Sequence, residues 1–248
     1  MSLDKLEGRN PIMEALKSDR EIDKILIAKG STEGSVKKII GHAKDKGIPV
    51  QYVERQKLND LAESNNHQGI MAYVAAHDYS TVEEILEGAR KKGKTPFVII
   101  LDEIMDPHNL GSIMRTADAV GADGIIIPKR RSVGLTAVVA KTSAGAIEYV
   151  PVAKVSNIAQ TIDKLKEEGL WVAGADMSGE KEHFNQDLKG AIALVIGNEG
   201  KGVSRLIKEK CDFLVKLPMV GKIESLNASV AAAILMYEVL RQRMVAKG

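Results

Sequence analysis

Apolar and polar positions along this chain fall into short blocks whose period switches repeatedly between helix-like and strand-like. Before residue 77, three helix-type segments each precede a strand-type run: "NPIMEALKS" then "IDKILIAK", "SVKKIIGHAKDKG" then "IPVQYVE", and "RQKLNDLAES" then "GIMAYVAA". Pro11, Gly47 and Gly69 stand at the boundaries, where residues that cannot continue a helix or strand punctuate the pattern. Such alternation predicts a small α/β domain over residues 1–76. Residues 77–96 place Val82, Ile85, Leu86 and Ala89 at helical spacing ahead of the polar exit "RKKGKTP", and read as the connection between two domains. From 97 to 248 the alternation resumes with stronger strands, "FVIILDEI", "GIIIP", "LWVAGAD", "AIALVIG" and "FLVKLPM". Unbroken apolar runs of this length suit strands covered on both faces, so the second domain is also expected to be α/β.

The segment "DPHNLGSIMRTADAVGADGIII" (106–127) carries the first candidate chemistry. Asp-Pro breaks the preceding strand, and Asn109 is a suitable helix N-cap, because its side-chain oxygen can accept an orphan backbone N–H. Leu110, Ile113, Met114, Ala117 and Val120 then trace one helix face. Arg115 points away from it, about 200° around from Ile113. Gly121 suits the exit, and the next strand completes a βαβ unit. In open parallel sheets ligands collect at the carboxyl ends of the strands. Taken alone, the segment equally fits a plain cap and a solvated arginine.

A second candidate is "ALVIGNEGKGVSRLIKEKC", where a buried strand runs into the loop 197–202 and a helix follows from about Val203. Glycines there let backbone approach a ligand closely. A phosphate loop is excluded, since Lys201 is followed by Gly202 and Val203 rather than Ser or Thr, and the dinucleotide fingerprint is missing. A plain turn with a solvated Glu199 remains open. The third is "VKLPMVGKIESLNASVAAAILMYEVLRQR". Here Ser225 or Asn227 could simply cap a terminal helix, which is apolar on more than one side and so expected to lie within the domain or against a second subunit. "AKTSAGAIEYVP" (140–151) reads as a small-residue helix start packed on the sheet, with no chemistry assigned.

Composition narrows the classes. The chain of 248 residues is 44% hydrophobic and 27% charged with a net charge of +2, which permits a nucleic-acid partner without indicating one. Residues 1–76 hold 12 Lys and Arg against 11 Asp and Glu, so a basic surface there must come from arrangement. Cys211 is the single cysteine, which excludes an internal disulfide or a cysteine-based zinc cluster and fits a reducing cytoplasm. His42, His67, His77, His108 and His183 lack zinc-site spacing, no G-x-S-x-G elbow occurs, and no metal is expected. The apolar runs are too short to cross a bilayer, and "MSLDKLEGRN" lacks a signal-peptide core.

In order, "DPHNLGSIMRTADAVGADGI", "LVIGNEGKGVS" and "LPMVGKIESLNASVAAAI" resemble the three motifs of the SpoU/TrmH-type RNA ribose 2′-O-methyltransferases of the SPOUT superfamily. "LEGRNPIMEAL" and "NNHQGIMAYV" are similar to the ends of a ribosomal-protein-like α/β RNA-binding domain carried by members that methylate a guanosine of 23S ribosomal RNA. The resemblance implies a catalytic domain with a deep trefoil knot and a homodimer. It implies S-adenosylmethionine as cofactor, lined by Gly197, Leu217, Met219 and Leu226. It also implies polar active-site positions at Arg115, Asn109, Glu199, Ser225 and Asn227, and RNA contacts at Arg9, Asn66, His67 and Gln68. Family accounts make the arginine a general base. Because a guanidinium holds its proton, a role in fixing a phosphate and stabilising a developing alkoxide is preferred. A transfer-RNA ribose methyltransferase and a non-catalytic RNA-binding assembly factor are the alternatives.

Overall fold

The computed structural model describes residues 5–17, 21–31, 34–62, 67–75 and 77–246. They divide into two compact units, one of Met1–Asp78 with Gly134–Ala137, the other of Tyr79–Val133 with Val138–Gly248.

The first unit runs β1 (Lys5–Glu7), α1 (Arg9–Lys17), β2 (Ile22–Ala28), α2 (Ser35–Asp45), β3 (Val50–Val53), α3 (Arg55–Leu61) and β4 (Ile70–Val74). Its strands lie in the order β1-β4-β2-β3, antiparallel except for the β2–β3 pair. On one face, Ile12, Leu16, Val36 and Ile39 from α1 and α2 bury Ile25, Ile27, Ile70 and Val74. On the other, Leu58 of α3 covers Leu26 and Met71. Strand β1 has no signature in the pattern, since three residues are too few to show a period.

The second unit runs α4 (Val82–Lys91), β5 (Phe97–Leu101), α5 (Pro107–Val120), β6 (Gly124–Pro128), α6 (Ala137–Thr142), β7 (Val152–Val155), α7 (Ile158–Glu167), β8 (Trp171–Ala175), β9 (Lys181–Glu182), β10 (Ile192–Ile196), α8 (Arg205–Lys210), β11 (Phe213–Lys216) and α9 (Ala228–Val245). Its seven strands are ordered β7-β6-β5-β10-β8-β11-β9 and every pair is parallel. Every residue of β5 and β10 is buried, as continuous apolar strands in the middle of a two-sided sheet require. Helices α4, α7 and α8 cover one face through Ile85, Leu86, Ile162, Leu165 and Ile207. Helices α5 and α9 pack together.

Residues 77–96 do not behave as a bare connection. Thr81 and Glu84 form a reciprocal capping box at the start of α4, and Val82, Ile85 and Leu86 enter the same core as Val98 and Ile100. Four apolar side chains on one stripe gain more from burial than from spanning solvent. The 140–151 stretch also differs from expectation in its partner. A Cβ at Gly111 would lie 2.6 Å from Thr142 Cβ, so the small residues let α6 close onto α5.

The C-terminal helix is tied to the start of the sheet. Arg243 Nη1 donates to Thr95 O, and Nη2 to Pro96 O and Gly190 O, at 2.7–2.9 Å. Its guanidinium lies 5.3 Å from the centroid of Phe97.

Candidate active site

At the carboxyl end of β10 the chain enters the 197–202 loop, which closes on itself. Asn198 and Gly202 exchange backbone hydrogen bonds at 3.1 and 2.7 Å, and Asn198 Oδ1 accepts from Gly200 N. A Cβ at Gly197 would fall 2.1 Å from Gly202 C and 2.2 Å from Val203 N; only glycine allows this turn. Two further bonds anchor the loop to the exit of β5: Asn198 Nδ2 donates to Glu103 O at 3.0 Å, and Ser204 N donates to the buried Asp102 carboxylate at 2.8 Å.

The loop forms one wall of a cavity of about 380 Å³, within the size range of small-molecule sites, roughly 300–1,000 Å³. Gly197, Leu217, Met219 and Leu226 all line it, together with Glu199 and Ser225. The apolar wall comes from the end of β10, the 217–219 segment and the first turn of α9. The polar wall carries three carboxylates, Asp176, Glu199 and Glu224, with Lys201. Such a lining suits a flat apolar ring joined to a positive charge, and repels a phosphate chain.

Glu199 is an exposed turn residue, yet its carboxylate is held on both sides. Its Oε1 accepts from Asn109 Nδ2 at 2.5 Å and from Asn227 Nδ2 at 2.6 Å. Segments ninety and twenty-eight residues apart thus converge on one oxygen. Asn227 is also a cap: its Oδ1 accepts from Ser229 N at 2.9 Å and Val230 N at 3.4 Å. One end of its amide therefore caps the helix while the other holds Glu199. Asn109 is not the N-cap of α5. Asp106 takes that position and accepts from His108 N at 2.9 Å, because Pro107 is preorganised for the first helical turn and moves the start upstream. This leaves Asn109 buried in the first turn, its amide free to reach across.

Arg115 is exposed and lies outside the cavity lining. Six residues separate it from Asn109, about 120° around the helix and about 9 Å along it. One helix face therefore does not present both. No hydrogen bond or ion pair links Arg115 to another described residue.

Asp176, at the exit of β8, also lines the cavity; its one signal along the chain is the acid that ends "LWVAGAD" at a strand's carboxyl end. Burial would raise its carboxyl, but Lys208 at 2.5 Å and two hydrogen bonds from Ser178 outweigh that and hold it below the ordinary carboxylate value.

In the first unit, Arg9 N donates to Gln68 Oε1 at 3.3 Å, so the two ends of the domain do meet. His67 is buried and committed internally: Gly69 N donates to its Nδ1, which leaves Nε2 as the donor to Asn59 Oδ1 at 2.8 Å. A polar contact from that ring to RNA, as expected, would cost one of these bonds. Asn66 lies outside the described residues.

Residues 96–237 match the model of the SpoU rRNA methylase family, and residues 5–80 match that of the RNA 2′-O ribose methyltransferase substrate-binding family. The chain is 55% identical to Bacillus subtilis (strain 168) YacO, assigned to the TrmH family of tRNA/rRNA methyltransferases, over 95% of this chain and 94% of that one. A Staphylococcus aureus (strain MSSA476) protein of the same assignment is 50% identical over 95% of each. Among solved structures, the SpoU methyltransferase AviRb from Streptomyces viridochromogenes, in complex with AdoMet, aligns with a TM-score of 0.62 at 23% identity, over 97% of this chain and 90% of that one. The A. aeolicus TrmH/SpoU tRNA modifying enzyme aligns with a TM-score of 0.56 at 29% identity, over 66% of this chain and 85% of that one.

Proposed function

This chain belongs to the SpoU rRNA methylase family, and on that premise we propose that it methylates a ribose 2′-hydroxyl of RNA with S-adenosylmethionine as donor. A guanosine of 23S ribosomal RNA is the target we assign. The observation that carries the reading is the cavity at the sheet's carboxyl edge, which Gly197, Leu217, Met219 and Leu226 line and whose Glu199 is held by Asn109 and Asn227. Its apolar and acidic walls fit an adenine and a cationic methionine.

The bound donor supplies an electrophilic methyl carbon on sulfur. The protein's share is to place a ribose oxygen opposite it and to help a proton leave. Holding two reactants in near-attack geometry contributes about 7–11 kcal/mol in favourable cases. Glu199, fixed by two amides, sets the spacing between α5, the 197–202 loop and α9 at the rim. Ser225 presents a hydroxyl inside the cavity. Arg115, a cation with no hydrogen bond or ion pair to another described residue, is assigned to an RNA phosphate and to the charge that develops on the ribose oxygen.

RNA recognition is assigned to residues 1–76, with Arg9 and Gln68 at its contact surface, and catalysis to 97–248. A deep trefoil knot is part of the proposal; the entry of β10 between β5 and β8 supports it. So is a homodimer, which the exposed α9 residues Val230, Ile234 and Tyr237 support, since they repeat at helical spacing. A reducing cytoplasm is the compartment assigned. Transfer of tritiated methyl groups to purified 23S ribosomal RNA, followed by mapping of the modified ribose, tests the reading. A label appearing on transfer RNA instead overturns the target, and donor binding without transfer to any RNA overturns the enzyme.

A further inference from the structure

The loop after β6 carries Lys129, Arg130 and Arg131 in succession, a charge run that the cavity and its rim leave unexplained. It lies at the carboxyl edge of the same sheet, since β6 pairs in parallel with β5, and Val133 N donates to Ile104 O at 2.9 Å. Arg131 Nη1 donates to Glu103 Oε1 at 3.0 Å, and the Arg131 side chain is 79% exposed. Glu103 in turn accepts from Asn198 through its backbone oxygen, and Asn198 lines the cavity. One residue therefore joins this basic loop to the wall of the proposed methyl-transfer site. Glu103 and Arg131 both hold left-handed backbone, with φ of 61° and 55°, a conformation uncommon outside glycine and worth explaining.

Arg130 is exposed and makes no hydrogen bond or ion pair with a described residue. Arg131 uses one nitrogen on one carboxylate oxygen, so most of its planar fork stays open. That fork matches the two oxygens of a phosphodiester. Nucleic-acid affinity resides mainly in such phosphate contacts, which position the strand without reading its sequence.

We propose that Lys129, Arg130 and Arg131 form a phosphate-binding clamp for the RNA strand beside the methyl-transfer cavity, with Glu103 holding Arg131 until a phosphodiester takes its place. The proposal rests on the RNA-methylation reading above. The clamp gives the second unit its own grip on the backbone next to the reacting ribose.

The test uses the full chain, fluorescein-labelled transcribed fragments of 23S ribosomal RNA, and anisotropy titrations between roughly 50 and 200 mM salt. S-adenosylmethionine affinity by calorimetry and circular dichroism report the integrity of cavity and fold. R130A/R131A is expected to weaken RNA binding about tenfold and lower the slope of log affinity against log salt by about 2, with donor affinity unchanged. R130A alone, which removes no internal contact, should lower the slope by about 1. R130K/R131K should restore most of the slope. E103Q should tighten RNA binding about two- to fivefold by releasing Arg131 from an exposed pair. Wild-type RNA affinity and slope in R130A/R131A overturn the clamp. A wild-type chain that binds donor but no RNA overturns the functional reading itself, and the clamp with it.

Discussion

Asn227 and Glu199 are joined at 2.6 Å by an amide that simultaneously caps the C-terminal helix. The helix start and the cavity rim are therefore set by one side chain, and the two roles separate by substitution. Asn227→Asp keeps an oxygen for the cap but faces Glu199 with a second carboxylate. We expect thermal stability close to wild type and methyl transfer strongly reduced. Asn227→Ala loses the cap as well, at a cost of about 0.5–2 kcal/mol. A thermal melt and a transfer assay on the same samples check both.

Glu199 acts through geometry in this account. Glu199→Gln can still accept both amides on one oxygen and is expected to retain most activity. Glu199→Ala abandons both donors and should reduce transfer about tenfold to a hundredfold, from the roughly 1.5–3 kcal/mol of a hydrogen bond to a charged group. Equal losses in the two variants would assign the role to the charge instead.

Arg115 should behave differently from the cavity residues. Arg115→Ala is expected to leave donor affinity intact and lower single-turnover transfer by two orders of magnitude or more, about 2.7 kcal/mol of charge stabilisation. Arg115→Lys keeps the charge but not the fork. Near-normal turnover in that variant would show that bidentate geometry is unnecessary.

Gly197→Ala places a methyl group on the backbone of Gly202 and Val203. The loop must shift, with a destabilisation of about 1–3 kcal/mol typical of overpacking. Donor affinity should fall with it, which calorimetry measures directly.

Burial pushes the Cys211 thiol up to about 12 from an ordinary 9.0, and its Sγ lies 3.2 Å from Ile207 O as a donor. The folded chain keeps this proton where the unfolded chain loses it. The contribution of this thiol is thus complete below about pH 9 and falls as pH rises toward 12, by at most about 1.4 kcal/mol per unit. Urea titrations of wild type and Cys211→Ala between those limits should show a steeper fall in the first than in the second. Alkylation of the native thiol should be slow near neutrality.

The strands and the helix faces were legible because burial on two sides imposes a local composition: β6 occupies Gly124–Pro128 as the pattern required, and α4 follows from four apolar positions. What escaped depends on contacts between distant segments. The shift of the α5 cap from Asn109 to Asp106 is decided by Pro107. The burial of His67 needs Asn59 and Gly69 around it. Asp176 lines the cavity at the exit of β8, but its ion pair with Lys208, thirty-two positions away, has no signature along the chain. Motif order located the cavity residues, but it could not show that Asn109 and Arg115 leave their helix in different directions.

The strand order and the Arg243 anchor constrain how the protein is born. During synthesis β5 through β8 emerge from the ribosome with a gap between them, because the strand that fills it, β10, lies later in the chain. The carbonyls of Thr95, Pro96 and Gly190 then await the guanidinium of Arg243. The second unit cannot reach its final packing until α9 has been made, so nascent chains stalled before residue 243 should be more sensitive to protease than the complete fold.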